Sequence, residues 1–330
     1  MASATGFWAA RSVLVTGGCG FIGSHLVEAL LGAGAEVRVL DLYTSDSDLG
    51  FLAGVTDPRL DIVLGDVADA YFTRSALRGI DTVFHLAALI GIPYSYVAPA
   101  HYVRTNVEGT LAVLEGARGE SCRRVVHMST SETYGSARYT PMDENHPTVA
   151  QSPYAATKAG ADQLVTSYWT SFGLPVAICR AFNTFGPRQS LRAIIPTVVA
   201  QALYADEIRV GSSTPVRDMN FVSDTVAGLM AVGSNEGIEG EVFNIGSGAG
   251  RTVAEMIEVI QGVVNVDKPV RTMDERVRPD RSEVTALICD ITKATGRLGY
   301  KPEVPFEVGI AAVRDYLVAH RPPDPSTYHI

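Results

Sequence analysis

Two side chains set the chemistry that this sequence allows. Tyr154 and Lys158 stand four residues apart in SPYAATK, at the start of a segment with helical spacing. Residues at i and i+4 share one helix face. An ammonium beside a phenol favours the phenolate and lowers a pKa that is ordinarily about 10. Such a phenolate can take the proton of an alcohol while a hydride acceptor takes the carbon-bound hydrogen. Taken alone, the pair could equally be a surface tyrosine and a solvated lysine, so its meaning depends on its setting. A second group, Thr130-Ser131-Glu132, follows the apolar run Arg124–Met128. Ligands of open parallel sheets bind beyond the carboxyl ends of the strands. Thr130 is therefore placed to hydrogen-bond the reacting hydroxyl, and Glu132 is a carboxylate available as a base. The alternative for Glu132 is a residue that caps a helix or lies in solvent.

These groups need a scaffold, and the first half of the chain spells one out. Apolar runs at Ser12–Thr16, Glu36–Leu40, Leu60–Leu64, Thr82–Leu86, Arg124–Met128 and Val176–Cys179 read as strands. Helical spacing fills Gly23–Leu31, Val103–Ala117 and Pro153–Phe172 between them. Alternating strands and helices imply a doubly wound parallel sheet with helices on both faces, a Rossmann α/β domain over residues 1–182. Beyond Arg180 the pattern is less regular. It predicts a smaller C-terminal α/β substrate domain over 183–330, with a segment of about 217–247 returning to the main sheet through Val242–Ile245.

The first strand runs into TGGCGFIG, Thr16–Gly23. Gly18, Gly20 and Gly23 fit G-x-G-x-x-G, and Gly17, Gly20 and Gly23 fit G-x-x-G-x-x-G. Between a strand and a helix, such glycines let the backbone approach a pyrophosphate, which the helix N-terminus then binds. Asp41 ends the second strand, 18 residues after Gly23. A carboxylate there accepts from the ribose hydroxyls and repels a 2′-phosphate. No Arg or Lys occurs in 42–48, so the expected cofactor is NAD and not NADP. Asp66 either contacts the adenine edge or caps a turn.

Composition excludes several classes. The chain has 330 residues, 46% apolar and 19% charged, and room for about two domains. A net charge of −9 argues against a nucleic-acid surface. No window of ~18 apolar residues predicts a membrane span. Met1–Ala10 lacks the pattern of a secretory signal, which predicts a cytoplasmic protein. The four cysteines show neither CxxC nor metal spacing, so no metal is expected.

Together these residues resemble the extended short-chain dehydrogenase/reductase family of nucleotide-sugar epimerases, dehydratases and decarboxylases. The likeness runs from TGGCGFIG to the RPD segment at Arg278 and the LGYKP segment at Leu298. The stretches LIGIPYSYVAPAHYVRTNVEGT, STSETYG, QSPYAATKAGADQL and FNTFGPRQSLRAIIPT look most like 4,6-dehydratases of the legionaminic-acid pathway type. The resemblance implies a triad of Thr130, Tyr154 and Lys158 with Asn106 nearby. It implies substrate contacts from Asn183, Arg217 and Arg278, with Arg192 either near the nucleotide or a surface charge. Phe21, Ile22, Val67, Leu86 and Ala87 complete the candidate cofactor set. Glucose-type 4,6-dehydratases resemble Thr-Asp-Glu where this chain has Thr130-Ser131-Glu132. GDP-mannose-type dehydratases and UDP-glucuronate decarboxylases both show Thr-Ser-Glu, so the triplet does not separate them.

The expected activity is a 4,6-dehydration of a UDP- or GDP-linked sugar. The alternatives are oxidative decarboxylation of an NDP-uronate, with Arg217 or Ser131 holding the carboxylate, then 4-epimerisation, and finally a non-catalytic NAD-binding scaffold. The resemblance also implies a homodimer through helices 103–117 and 153–172, whose apolar faces could equally pack on the sheet.

Overall fold

A computed structural model describes residues 4–42, 49–273 and 284–322. The main sheet uses β1 (Ser12–Thr16), β2 (Glu36–Asp41), β3 (Leu60–Leu64), β4 (Thr82–His85), β5 (Arg124–Thr130) and β6 (Val176–Ala181). Then come β7 (Asn183–Phe185), β8 (Ile208–Val210), β9 (Val216–Phe221) and β10 (Val242–Ile245). The last three are β11 (Gly250–Thr252), β12 (Val270–Thr272) and β13 (Ala286–Leu287). The main sheet has seven strands in the order β10-β6-β5-β4-β1-β2-β3. Every pair in it is parallel. Parallel strands are covered on both faces, which is why β4 and β6 are buried along their whole length.

One face packs Leu26, Leu30, Phe84, Leu229 and Phe243. The other packs Leu14, Leu77, Val113, Val125 and Val165. The strand order reverses between β1 and β4, and this crevice is where such sheets bind ligands. Thr16 pins it. Its hydroxyl bonds His85 Nδ1 at 2.8 Å and accepts from Leu86 N at 3.2 Å and Ala87 N at 3.1 Å.

The second lobe holds a four-stranded sheet of β11, β9, β13 and β7. Helices Ile194–Tyr204, Val253–Val264 and Phe306–Ala319 share a separate apolar core around Ile195, Val199, Met256 and Ile310. The return to the main sheet is narrower than the sequence pattern suggests. Helix Val222–Ser234 packs on β5 and β6, and β10 pairs with β6. Residue 217 stays in the second lobe, because β9 is already flanked by β7, β11 and β13.

The expected regular helix Val103–Ala117 is divided. Val103–Glu108 is a π-helix, and an α-helix follows over Gly109–Gly119. No described helix is long and apolar enough to cross a membrane.

Candidate active site

The glycine loop is a close-packed joint. Gly17 takes φ +72°, and a Cβ there would lie 2.8 Å from Ala87 N. A Cβ on Gly23 would lie 2.1 Å from Gly17 O. Gly20 is roomier, its nearest atom being Gly17 O at 3.4 Å. The backbone is thus left bare where helix Phe21–Gly32 begins, with Phe21 and Ile22 in its first turn. Asp41 accepts from Cys19 N and Leu42 N, both at 2.8 Å, which ties the end of β2 to this loop. Burial pushes its pKa up, and the two amides oppose that. The cradle and its neighbouring carboxylate fit a dinucleotide, whose pyrophosphate would rest on the Gly17–Gly23 backbone.

Asp66 caps its own turn, accepting from Ala68 N at 2.9 Å, and pairs with Arg104 at 3.0 Å. Val67 is buried, with Gly109 packed close against its methyls.

The π-helix serves Asn106. Its Oδ1 accepts from Leu89 N at 2.8 Å, while Nδ2 donates to Leu89 O at 3.1 Å and to Thr157 Oγ1 at 3.0 Å. The wide turn lets this buried amide bridge the loop after β4 and helix Pro153–Phe172. Such local π insertions are frequent at functional sites.

That helix is sharply bounded. Ser152 caps it by accepting from Ala155 N at 3.1 Å, Pro153 occupies its first turn, and Gly173 ends it in the left-handed region. Tyr154 and Lys158 both face inward, 8% and 4% exposed. The Tyr154 phenol lies near enough to Thr130 and Glu132 for both to act on it. Glu132 is half-buried in the short helix Ser131–Tyr134, and its N–H donates to Thr130 Oγ1 at 3.2 Å. Ser131 is buried beside it. Thr130, Glu132, Tyr154 and Lys158 therefore meet at the carboxyl end of β5.

The electrostatics differ from the sequence expectation. Tyr154 is not lowered; burial, helped by the Glu132 charge, pushes its phenol well above its ordinary value. Lys158 donates to Met128 O at 2.8 Å, and burial lowers its pKa to about 8. Its ammonium is spent on the end of the strand, and a buried phenolate is poorly solvated.

Tyr102 extends the site, its ring centroid 6.3 Å from that of Tyr154 and its hydroxyl donating to Gly91 O. Arg192 is exposed but near enough to Tyr102 to act on its phenol. Asn183 begins β7, and its Nδ2 is buried with no hydrogen-bond partner among the described residues. Arg217 is 8% exposed on β9 and donates to Val216 O at 3.0 Å. Arg278 lies outside the described residues. Among the described residues, no group of His, Cys, Asp and Glu could hold a metal ion.

The sequence reading missed His127, Asp162, Arg180 and Tyr102. Two signals could have found them: Asp162 lies one turn beyond Lys158, and His127 and Arg180 interrupt apolar strands.

A parallel sheet with a glycine cradle at its switch point, an inward Tyr-x-x-x-Lys pair and a second lobe define a nucleotide-binding enzyme of the extended short-chain dehydrogenase/reductase class. The chain belongs to the GDP-mannose 4,6 dehydratase family, whose model matches residues 14–313. A dTDP-glucose 4,6-dehydratase from Actinoplanes sp. is 35% identical over 319 residues, covering 94% of this chain and 98% of that protein. The crystal structure of DesIV, a dTDP-glucose 4,6-dehydratase from Streptomyces venezuelae with NAD and TYD bound, matches with a TM-score of 0.88 at 34% identity, covering 94% of this chain and 98% of that one. An epimerase from Methanothermobacter thermautotrophicus also matches with a TM-score of 0.88, at 30% identity, covering 96% of this chain and 95% of that one. Fold alone therefore does not separate dehydration from epimerisation. The likeness to the legionaminic-type enzymes rests on motifs, and none of these names bears on it.

Proposed function

We propose that this protein is an NAD-dependent nucleotide-sugar 4,6-dehydratase. The observation that carries the reading is Glu132, whose charge reaches the Tyr154 phenol and whose N–H donates to Thr130 at the same strand end. Epimerisation needs only the redox pair and gives this carboxylate no task. Bound NAD supplies the hydride acceptor and later the hydride donor, and its oxidised ring adds a positive charge that favours a phenolate.

Tyr154 takes the C4 hydroxyl proton, while Thr130 holds that hydroxyl. Lys158 supplies the neighbouring positive charge. The 4-ketone makes the C5 hydrogen acidic, and Glu132 removes it. Ser131 has no acidic proton to give, so Glu132 returns its proton to the departing C6 hydroxyl, and one water is lost. The hydride taken from C4 would then go to C6 while the proton held on Tyr154 goes to C5, which leaves a 4-keto-6-deoxy sugar and the protein in its starting state. Asn183, whose buried Nδ2 has no partner among the described residues, and Arg217 hold the diphosphate, since guanidinium and amide donors suit phosphate oxygens. Arg192 approaches from the rim, and Arg278 is assigned to the nucleotide ribose.

The substrate is a nucleoside-diphosphate sugar, UDP- or GDP-linked in this reading, and the enzyme works in the cytoplasm. It is a homodimer in this reading, through the segments 103–117 and 153–172. Their outer faces carry Leu111, 40% exposed, and Phe172, 54% exposed.

The Thr130-Ser131-Glu132 triplet fits one second reading equally, decarboxylation of an NDP-uronate. The same C4 oxidation then gives a β-keto acid that loses CO2. Mass spectrometry after incubation with NAD and UDP-, GDP- and dTDP-linked sugars decides. Loss of water from a hexose supports dehydration. Loss of CO2 from a uronate supports the second reading, and an isomer of unchanged mass supports epimerisation.

A further inference from the structure

Behind Lys158 lie three ionisable side chains that the reaction above does not use. Lys158 Nζ is 3.4 Å from His127 Nε2, and the same Nε2 is 3.5 Å from Asp162 Oδ1. Arg180 donates to Asp162 Oδ2 from Nη2 at 2.8 Å and from Nε at 3.2 Å. Lys158, His127, Asp162 and Arg180 are 4%, 0%, 2% and 6% exposed, so solvent screens none of them. His127 Nδ1 and Asp162 Oδ1 both lack a hydrogen-bond partner among the described residues, so Nε2 faces the lysine and the carboxylate without joining them in a hydrogen-bonded chain, and Asp162 acts across the ring by its charge. The cluster thus holds two cations, one carboxylate and an imidazole lying between the carboxylate and the lysine.

We propose that Asp162 is a positioning residue for Lys158: from the far side of the His127 ring, its carboxylate keeps the redox lysine an ammonium inside a dry interior. The inference rests on the reading of Tyr154 and Lys158 as the redox pair. Two buried cations without a counter-ion would lose a proton, and the easier loss is from the lysine, since arginine holds its proton far more firmly. The groups facing Lys158 come from several elements. They are Tyr154 and Asp162 on its own helix, His127 on β5, His85 on β4 and Arg180 on β6, with Glu132 beyond the phenol. His127 is neutral, because burial and the lysine charge lower it to about 4. Asp162 is the charge that opposes the burial penalty on Lys158, alongside the Met128 carbonyl that the ammonium already donates to.

The chain has four lysines, Lys158, Lys268, Lys293 and Lys301, so each can be followed by carbon-13 NMR at Cε. The titration is run on the NAD-bound protein, with Lys158→Met assigning the signal. Asp162→Asn is expected to lower the Lys158 midpoint by about one unit and to move the alkaline limb of kcat with it, so that kcat above the limb falls about tenfold. Arg180→Gln frees Asp162 from its other cation and is expected to move both upward. The other three lysines stay where they are. Each variant decides alone if the other does not fold. A Lys158 midpoint that is unmoved, or that moves in the opposite sense, overturns the proposal, even if the variant melts at a lower temperature. The midpoint is read whether or not product forms. Midpoint shifts in the variants, together with no water loss by the parental protein, would sink the dehydratase reading and leave this inference standing.

Discussion

Gly23→Ala tests the cofactor cradle at its tightest point. The added methyl would lie 2.1 Å from Gly17 O and 2.8 Å from Gly18 Cα. Non-bonded heavy atoms settle at about 3.5–4.0 Å, so the helix start must retreat by roughly 1 Å or more. Both neighbours are backbone. Gly17 is also fixed, because its N–H donates to Leu40 O at 2.8 Å and its φ is +72°. Overpacking costs about 1–3 kcal/mol where side chains can yield. Here none can, so the cost falls at the upper end, about 3 kcal/mol. If the strain falls on the cradle, NAD affinity drops by roughly a hundredfold. Titration calorimetry with NAD and a thermal melt measure the two ways the strain can appear. Gly32→Ala is the control. It lies at the other end of the same helix with nothing within 4 Å of its added methyl, and it is expected to be neutral or stabilising by up to ~1 kcal/mol. Parental affinity together with a parental melt in Gly23→Ala would refute the cradle argument.

Glu132→Gln should separate the half-reactions: NADH absorbance appears with substrate while no water is lost from the sugar. Release of dehydrated product at the parental rate would remove Glu132 from the chemistry. Asp41→Asn should weaken NAD binding and narrow its preference over NADP, measured as the ratio of the two dissociation constants. An unchanged ratio would leave Asp41 as only a strap for Cys19 N. His127 is lowered to about 4 from an ordinary 6.5, and buried His85 is lowered in the same sense. Between those values the unfolded chain binds more protons, so stability should fall as pH drops from 6.5 towards 4. Denaturant midpoints across that window check the slope, and His127→Gln should flatten it.

The sequence made the parallel sheet legible because its central strands are buried on both faces and read as short, mostly apolar runs that alternate with helical segments. Helix Pro153–Phe172 was legible to the residue, since Ser152, Pro153 and Gly173 are local boundary signals. The π-turn at Asn106 was not. It follows from an amide bridging Leu89 and Thr157, partners far away in the chain. The pairing of Tyr154 with Lys158 was legible from spacing, but the direction of the phenol's shift was not. Spacing reports which groups are near, and burial decides which charge state they can keep. The same limit hid Asp162. Its distance from Lys158 is visible in the sequence, while the convergence of His127 and Arg180 upon it depends on the order of β5 and β6 in the sheet.

The late strand β10 has a consequence for any attempt to divide the molecule. It covers the edge of β6, with Phe243 and Ile245 sealing that side of the core. A chain cut after residue 182 would keep every glycine of the loop and both redox side chains. It would also bare the unpaired margin of a buried, mostly apolar strand, the kind of edge that recruits a foreign strand. The nucleotide half is therefore not a detachable cassette: its solubility is supplied by residues encoded sixty positions downstream, and a graft of this domain onto another protein has to carry them along.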